Sequence, residues 1–384
     1  MIVSGEIRGF KRFAHERIVM APLTVLAGLN GSGKTSLLQS ILVAAEASRT
    51  KSTALSLNGP FGLELGTAED VLNWECRSPI EIAFDSTASG GANWRLSVPT
   101  EEALYLDIAD RPTELPKAFS GQPRAFTYLS AERLGPRGFS AASPLPETEL
   151  EVGVKGEFCA HVLSVLGDRI IESADRSHPL YGSASPRLLK YEVEQWLSEI
   201  ARPIEVTGER HPGSTVAELR FRAPGSAWVR STNMGFGITY ALPVILAGLI
   251  AEKGGLLVVE NPEAHLHPAG QSRMGVFLAW LAGHGVQVLI ETHSDHVING
   301  IRRAVAEYNY LDSASALLHW FGGDGGGHEG SVFSTVAIGK TGNLSNWPDG
   351  FFDQYQIDVA ALGRIRRSDR KGGAGDTDLG AGRP

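Results

Sequence analysis

The sequence predicts an α/β fold whose core is a mixed, largely parallel sheet. Three observations carry that prediction. From Gly237 onward, helices alternate with short, fully apolar strands. A helix from Ile238 to Glu252, a strand from Leu256 to Val259, a helix after Pro268, a strand from Val286 to Ile290 and a helix after Ser294 follow one another. Strands that are apolar throughout suit a sheet covered on both faces. Near the start, Leu23 to Ala27 is a similar run that ends at Gly28 and feeds a glycine-rich loop. The chain has 384 residues, 42% of them hydrophobic, enough to bury a sizeable core.

The remaining elements are read in order. Ile2 to Phe13 alternates loosely, as a strand and turn would. Lys34 to Ala47 is a helix with Leu37, Leu38, Ile41 and Leu42 on one face. Pro79 to Phe84 and Trp94 to Val98 alternate as half-buried strands. Arg111 to Pro123, rich in Pro, Ser and Gly, reads as a surface loop, and residues 135–150 as a second one. Ala125 to Leu129 is another buried strand. Helices are expected from Glu157 to Glu172 and from Arg187 to Ile200, with strands near Ile204 to Val206 and Ala217 to Phe221. Residues 315–321 and 331–338 read as strands around a glycine-rich turn, Gly322 to Gly327. No internal repeat and no heptad run of coiled-coil length is present.

Composition excludes several classes. Two cysteines, Cys76 and Cys159, cannot form a disulfide framework or a cysteine zinc site. They favour a reducing compartment, so the expected location is cytoplasmic. The N-terminal residues lack the apolar stretch of a signal peptide. The longest apolar run, near Ile238 to Ala251, is interrupted by Pro243 and Gly248 and falls short of the ~20 residues a membrane span needs. A net charge of −8 argues against a uniformly basic nucleic-acid binder, though not against a local basic groove. Glycine, 45 residues, stands well above the usual ~7%.

Part of that glycine has a chemical use. Gly28-Leu29-Asn30-Gly31-Ser32-Gly33-Lys34-Thr35 matches G-x-x-x-x-G-K-[ST]. Glycines let the backbone curl so that successive N–H groups face phosphates, and the following helix adds its positive end. Lys34 is placed to reach the β- and γ-phosphates, and the Thr35 hydroxyl to coordinate magnesium. A strand before the loop and an amphipathic helix after it complete the context of a P-loop NTPase. Asn30, Gly31, Ser32, Gly33, Lys34 and Thr35 are the nucleotide-binding candidates, and ATP with Mg2+ the expected cofactors.

Leu256-Leu257-Val258-Val259-Glu260 is an apolar strand ending in a carboxylate. Such an acid serves the magnesium shell in P-loop ATPases, and Glu260 is the candidate. Glu263, three residues on, is a candidate to polarise the attacking water. His265 and His267 resemble a metal pair, but no further ligand cluster accompanies them. Placement near a neighbouring subunit's nucleotide is the alternative. Val286 to Ile290 leads to Glu291-Thr292-His293-Ser294. A histidine at the carboxyl edge of a parallel sheet points into the ligand crevice. His293 is therefore a candidate for the γ-phosphate or its water, with Ser294 capping the next helix.

Taken together, these motifs resemble the ABC-type ATPase heads of the chromosome-maintenance (SMC) and DNA-repair class. The resemblance is closer to compact bacterial AAA ATPases related to the overcoming-lysogenization-defect (OLD) group. It rests on Phe10-Lys11-Arg12-Phe13, the 28–35 loop, the run from Glu260 to Pro268, and Thr292-His293-Ser294. Asn233 to Pro243 looks like the signature helix start, and Asn346 to Asp353 like a short C-terminal domain of unknown function. The resemblance implies a two-lobed head with a mixed, parallel-cored sheet. Its parts would be an N-terminal lobe (1–130), an insertion or helical lobe (131–230), a signature and switch region (231–310) and a small C-terminal domain (311–363). Residues 364–384 would form a disordered polar tail. It also implies a homodimer closed head-to-tail around two nucleotides, with Gly235 and Gly237 of one subunit at the other's γ-phosphate. Either Ser231 or Thr239 replaces the usual signature serine. Tyr128 to Arg133 falls at the lobe-connecting loop, where Glu132 or Arg133 stands for the usual glutamine, or forms a plain ion pair.

One departure bears on function. The position of the usual catalytic base is Asn261, and an amide cannot accept a proton as a base does. The expectation is a weak ATPase that switches DNA or an effector protein, in anti-phage defence or DNA repair. Lys11, Arg12, Arg302 and Arg303 are candidate phosphate contacts or simply a solvated face. A non-hydrolytic scaffold for a partner nuclease or toxin is the second reading, and a small-molecule phosphotransferase the third.

Overall fold

The computed structural model describes residues 1–76, 79–88, 90–171, 176–180, 188–322, 332–348, 350–351 and 357–365. In chain order, β1 (Ile2–Phe10), β2 (Phe13–Val19) and β3 (Leu23–Gly28) lead into α1 (Lys34–Arg49). Next come β4 (Ala54–Ser56), α2 (Ala68–Val71), β5 (Ile80–Ser86), β6 (Ala92–Ser97), β7 (Tyr105–Asp110) and β8 (Phe126–Leu129). Then follow β9 (Ser140–Ala141), α3 (Cys159–Leu166), α4 (Leu189–Ile200), β10 (Glu205–Arg210), β11 (Val216–Arg222) and β12 (Val229–Arg230). The last set is α5 (Phe236–Ile250), β13 (Leu256–Glu260), α6 (Pro268–Gly283), β14 (Gln287–Glu291), α7 (Asp295–Ala306), β15 (Ala316–Phe321) and β16 (Ser334–Ala337).

The central sheet runs β16-β15-β3-β14-β13-β8. All its pairings are parallel except β15 with β16. Its inner strands are buried along both faces, which explains why they read as unbroken apolar runs. Because β14 lies between β3 and β13, the loops after all three strands open at one sheet edge. In parallel sheets ligands bind at that edge.

A second sheet, β2-β1-β5-β6-β7-β4, is antiparallel throughout. Its apolar face shares one core with α1 and the central sheet, built on Ile7, Phe10, Ile82, Phe84, Trp94, Leu38 and Leu42. A smaller sheet pairs β10, β11 and β12, with β9 on β11. The chain divides into two units, one of residues 1–346 and a second beginning at Trp347. Within the second, Trp347 packs edge-on against Phe351 at 4.8 Å.

Three sequence expectations change. The segment 111–123 is not simply a surface loop, because Ala118 and Phe119 are buried and Phe119 packs on Phe84, Trp94 and Phe126. Its Pro, Ser and Gly content reports irregular backbone, not exposure. The helix expected from Glu157 to Glu172 is only Cys159–Leu166. It stops at Gly167, whose N–H bonds Leu163, and the chain then bridges Ile170 to Leu188. The helix expected at Ile238 begins two residues earlier, at Phe236. Of the glycine turn, Gly323 to Gly327 lie outside the described residues, as do Asp349, Phe352, Asp353 and residues 366–384 of the expected tail.

Candidate functional site

The phosphate loop joins the end of β3 to the start of α1. Gly28 has φ +142°, and a Cβ there would lie 2.2 Å from the Phe321 carbonyl oxygen. Any other residue would push β15 off the loop, and Leu29 N–H bonds that same oxygen at 3.0 Å. Lys34 is buried, and its Nζ donates to the carbonyls of Gly28 (3.1 Å) and Leu29 (2.7 Å). Ser32 Oγ donates to Leu29 O at 2.6 Å. Asn30 and Gly31 are exposed at the loop tip. Arg12, from the β1–β2 turn, donates to Gly31 O at 2.5 Å.

Glu260 ends β13 half-buried. Its carboxylate accepts from Tyr128 Oη (2.9 Å) and from Ala131 N–H (3.2 Å). Burial, then Glu260, pushes the Tyr128 hydroxyl's pKa up, so it stays a donor. Arg133, 2% exposed, donates to the carbonyls of Ser130 (2.9 Å), Glu260 (2.7 Å) and Asn261 (2.6 Å). Burial lowers its pKa to about 10. Of the two lobe-loop candidates, Arg133 is therefore a buried clamp, while Glu132 makes the exposed ion pair, with Lys155 at 3.0 Å.

The structure adds a residue that the sequence reading passed over. Glu291 ends β14 in register with Glu260. Both its oxygens lie 3.4 Å from Thr35 Oγ1, and Lys34 Nζ is 3.9 Å away. Burial pushes its pKa up to about 7 against the pull of Lys34, and Glu260 adds to the rise. The signal was available, since a carboxylate closing a buried apolar strand is the same pattern that marked Glu260.

Glu263 meets the end of the histidine strand. It accepts from Thr292 Oγ1 (2.7 Å) and from His293 N–H (2.8 Å). The two candidates for handling water are thus side by side, with the His293 ring exposed. Ser294 caps α7 by accepting from Val297 N–H at 3.2 Å. Asn261 adopts φ +44°, and its N–H donates to Glu291 O at 2.8 Å.

The signature region is close to the acidic loop. Gly237, the second residue of α5, lies beneath it, where a Cβ would come within 2.8 Å of His265 O. Gly235, the N-cap, has an ordinary φ of −69° and open space around it. Neither hydroxyl candidate is free. Ser231 is buried against the Arg137 backbone, and Thr239 Oγ1 donates to Phe236 O at 3.0 Å. His265 packs against Tyr240 and Phe236, and His267 caps α6 by accepting from Ala269 N–H. Among the described residues, no group of three or more His, Cys, Asp or Glu forms a metal cage. Thr35, Glu260 and Glu291 are all oxygen donors, which suits a magnesium ion that keeps waters and phosphate oxygens as further ligands.

The four basic candidates are engaged within the chain. Besides Arg12, Lys11 donates to Gln39 (2.7 Å), Arg302 to Gly342 O (2.5 Å) and Asn299 (2.7 Å), and Arg303 to Glu307 (2.7 Å). Among the described residues, no helix is long and apolar enough to cross a membrane.

The chain is similar to several known proteins. The family described as "AAA domain, putative AbiEii toxin, Type IV TA system" matches residues 23–299. A second family, "Protein of unknown function (DUF3696)", matches residues 311–362. The OLD nuclease of Thermus scotoductus is 23% identical over 334 residues, covering 77% of this chain and 59% of that protein. The chain therefore spans about three fifths of the relative's length. Among solved structures, an Smc head bound to the C-terminal winged-helix domain of ScpA is 14% identical, with TM-score 0.49 over 88% of this chain and 98% of that one. The SMC head of Thermotoga maritima is 15% identical, with TM-score 0.41 over 88% and 99%. On the family match, which covers most of its length, the chain belongs to this AAA-domain family.

Proposed function

We propose that this AAA-family chain binds Mg–ATP, hydrolyses it slowly and uses the nucleotide to close a homodimer that switches an effector. The observation that carries the reading is one sheet edge. There the phosphate loop, two strand-end carboxylates and the Glu263–His293 pair converge from three adjacent parallel strands. On nucleotide binding, Lys34 would exchange the Gly28 and Leu29 carbonyls for the β- and γ-phosphates. Thr35 and Glu260 would hold Mg2+, which neutralises phosphate charge when bound. Glu263, fixed by Thr292 and His293, would orient the water, with the exposed His293 ring beside it.

Asn261 argues for slow turnover, because it supplies no base where the related heads have one. It also sustains the second reading, a non-hydrolytic scaffold closed by ATP. Gly235 supports dimer closure. Nothing among the described residues requires glycine there, so the open backbone at a helix start would be available to a partner's phosphate. The family's description as a putative AbiEii toxin and the OLD nuclease relative support a role in anti-phage defence or DNA repair, exerted through a partner protein or DNA. The committed basic residues make direct DNA contact through Lys11, Arg12, Arg302 or Arg303 the weaker branch.

The test uses the full chain and Lys34→Ala. ATP should bind the wild type, drive self-association seen by light scattering, and turn over slowly in a single-turnover assay. Lys34→Ala should lose all three. A variant that still associates with ATP would refute the switch, and bound ATP recovered intact would favour the scaffold.

A further inference from the structure

We propose that Glu291 is a third carboxylate of the nucleotide centre, one that shares the divalent cation with Thr35 and Glu260 and makes ATP binding depend on that cation. The inference rests on the ATP-site reading above and assigns a part to a residue that reading leaves out.

Position is the first argument. Glu291 ends β14, the strand between the phosphate-loop strand and the Glu260 strand, and is 7% exposed. It, rather than Glu260, meets the Thr35 hydroxyl, the group a phosphate loop offers to magnesium. Glu260 accepts one hydrogen bond on each oxygen, from Tyr128 and Ala131, which fix it and leave further lone pairs for a shared cation.

Unfilled capacity is the second. A hydroxyl carries one proton, so the two 3.4 Å approaches of Thr35 amount to at most one hydrogen bond. Lys34 spends two of its three donors on the Gly28 and Leu29 carbonyls and stays 3.9 Å from Glu291. A carboxylate offers about four acceptor positions. Among the described residues, most of those on Glu291 go unused. A carboxylate buried only to balance Lys34 would be expected at contact distance, near 2.8 Å.

Charge is the third. Glu260, Glu263 and Glu291 stand around Lys34 and Arg133, with Arg12 at the loop tip, so the bases give no surplus of positive charge where a polyanion must enter. Glu291 faces the loop at short range in a poorly solvated place, where like charges repel more strongly than in water. A divalent cation between Glu291 and the phosphates reverses the sign. Cation and nucleotide then favour each other by the same factor, whichever binds first.

Glu291→Gln keeps the shape and removes the charge, which gives opposite effects on two measurable affinities. In EDTA the variant should bind ATP more tightly than the wild type. The strengthening of ATP binding by Mg2+ should shrink by about tenfold or more. Equilibrium dialysis of the full-length chain at fixed ionic strength reads both. Electron paramagnetic resonance of Mn2+ bound with ATP should show a changed ligand environment in the variant. Glu291→Asp, which keeps the charge but shortens the reach, should retain weak binding in EDTA and lose cation affinity. A structural role would weaken binding equally in both conditions, or leave the ratio and the Mn2+ spectrum unchanged, and either result overturns the proposal. Absence of ATP binding by the wild type in both conditions would instead overturn the nucleotide reading, and this inference with it.

Discussion

Arg133→Met tests whether the buried clamp holds the carboxylate strand in place. The guanidinium makes hydrogen bonds with three carbonyls, those of Ser130, Glu260 and Asn261. Bonds from a charged donor contribute about 1.5–3 kcal/mol each, so their gross worth is about 4–9 kcal/mol. Against this stands the cost of keeping a buried charge. A guanidinium whose pKa falls to about 10 carries roughly 3 kcal/mol of that cost. Methionine fills much of the volume but leaves the carbonyls without their donor, and Glu260 and Glu263 without their nearby cation. The expected loss of stability is about 3 kcal/mol, at the low end of what breaking a buried charged contact costs. Arg133→Lys should fall between, because one ammonium cannot reproduce the planar fork that spans three acceptors. Urea unfolding followed by tryptophan fluorescence measures both. Turnover of Mg–ATP should drop more than ATP binding, since the clamp and Ala131 N–H together fix Glu260. A loss under about 0.5 kcal/mol, typical of a surface substitution, would refute the reasoning.

Two further outcomes follow from particular geometries. Gly235→Val should leave the isolated chain within about 0.5 kcal/mol of wild type, because its φ is ordinary and its surroundings are open. It should abolish ATP-dependent association in light scattering, and association at the wild-type level would remove Gly235 from the interface. His319 is fully buried, with Nε2 2.8 Å from Val19 O and Nδ1 3.0 Å from Thr335 Oγ1. Burial holds its pKa down at about 4, against the pull of the Val19 hydrogen bond. The unfolded chain therefore binds the extra proton first. Stability should be intact above about pH 6.5 and fall by up to roughly 3 kcal/mol as pH drops toward 4. His319→Gln should lack this component of the slope, and identical pH profiles for both proteins would contradict it.

What was legible in the sequence was chemistry set by local spacing. The phosphate loop and the apolar strands ending at Glu260 and His293 each carry their function within about ten residues, and a parallel sheet then brings those ends to one edge. The antiparallel sheet was not legible in the same way. β1 pairs with β5 across more than seventy positions, with Ile7 opposite Ile82, and no local pattern encodes that choice. Arg133 illustrates a second kind of miss. Whether an arginine is a solvated charge or a buried clamp depends here on carbonyls of a distant segment, Glu260 and Asn261, besides that of Ser130 in its own loop. Glu291 illustrates a third. Its pattern matched that of Glu260, but nothing in the sequence said that β14 lies next to β3, so its contact with Thr35 could not be read.

Asn261 ties these observations into a view of how the site divides its work. The resemblance read in the sequence leads one to expect a base at this position, but here the residue makes a turn. Its φ of +44° is left-handed, a conformation asparagine tolerates and other L-residues adopt at a cost of about 1–2 kcal/mol. The turn lets its N–H reach the Glu291 carbonyl and its carbonyl reach Arg133. The residue that forgoes proton transfer therefore holds the backbone of both strand-end carboxylates, Glu260 beside it and Glu291 across from it. Its own Oδ1 is buried without a partner among the described residues. A glutamate at this position would have to keep the left-handed turn and find room for a charge where Glu260, Glu263 and Glu291 already crowd. On the function proposed above, that crowding would favour holding a cation and nucleotide over cleaving the nucleotide quickly, as a switch timed by bound ATP requires.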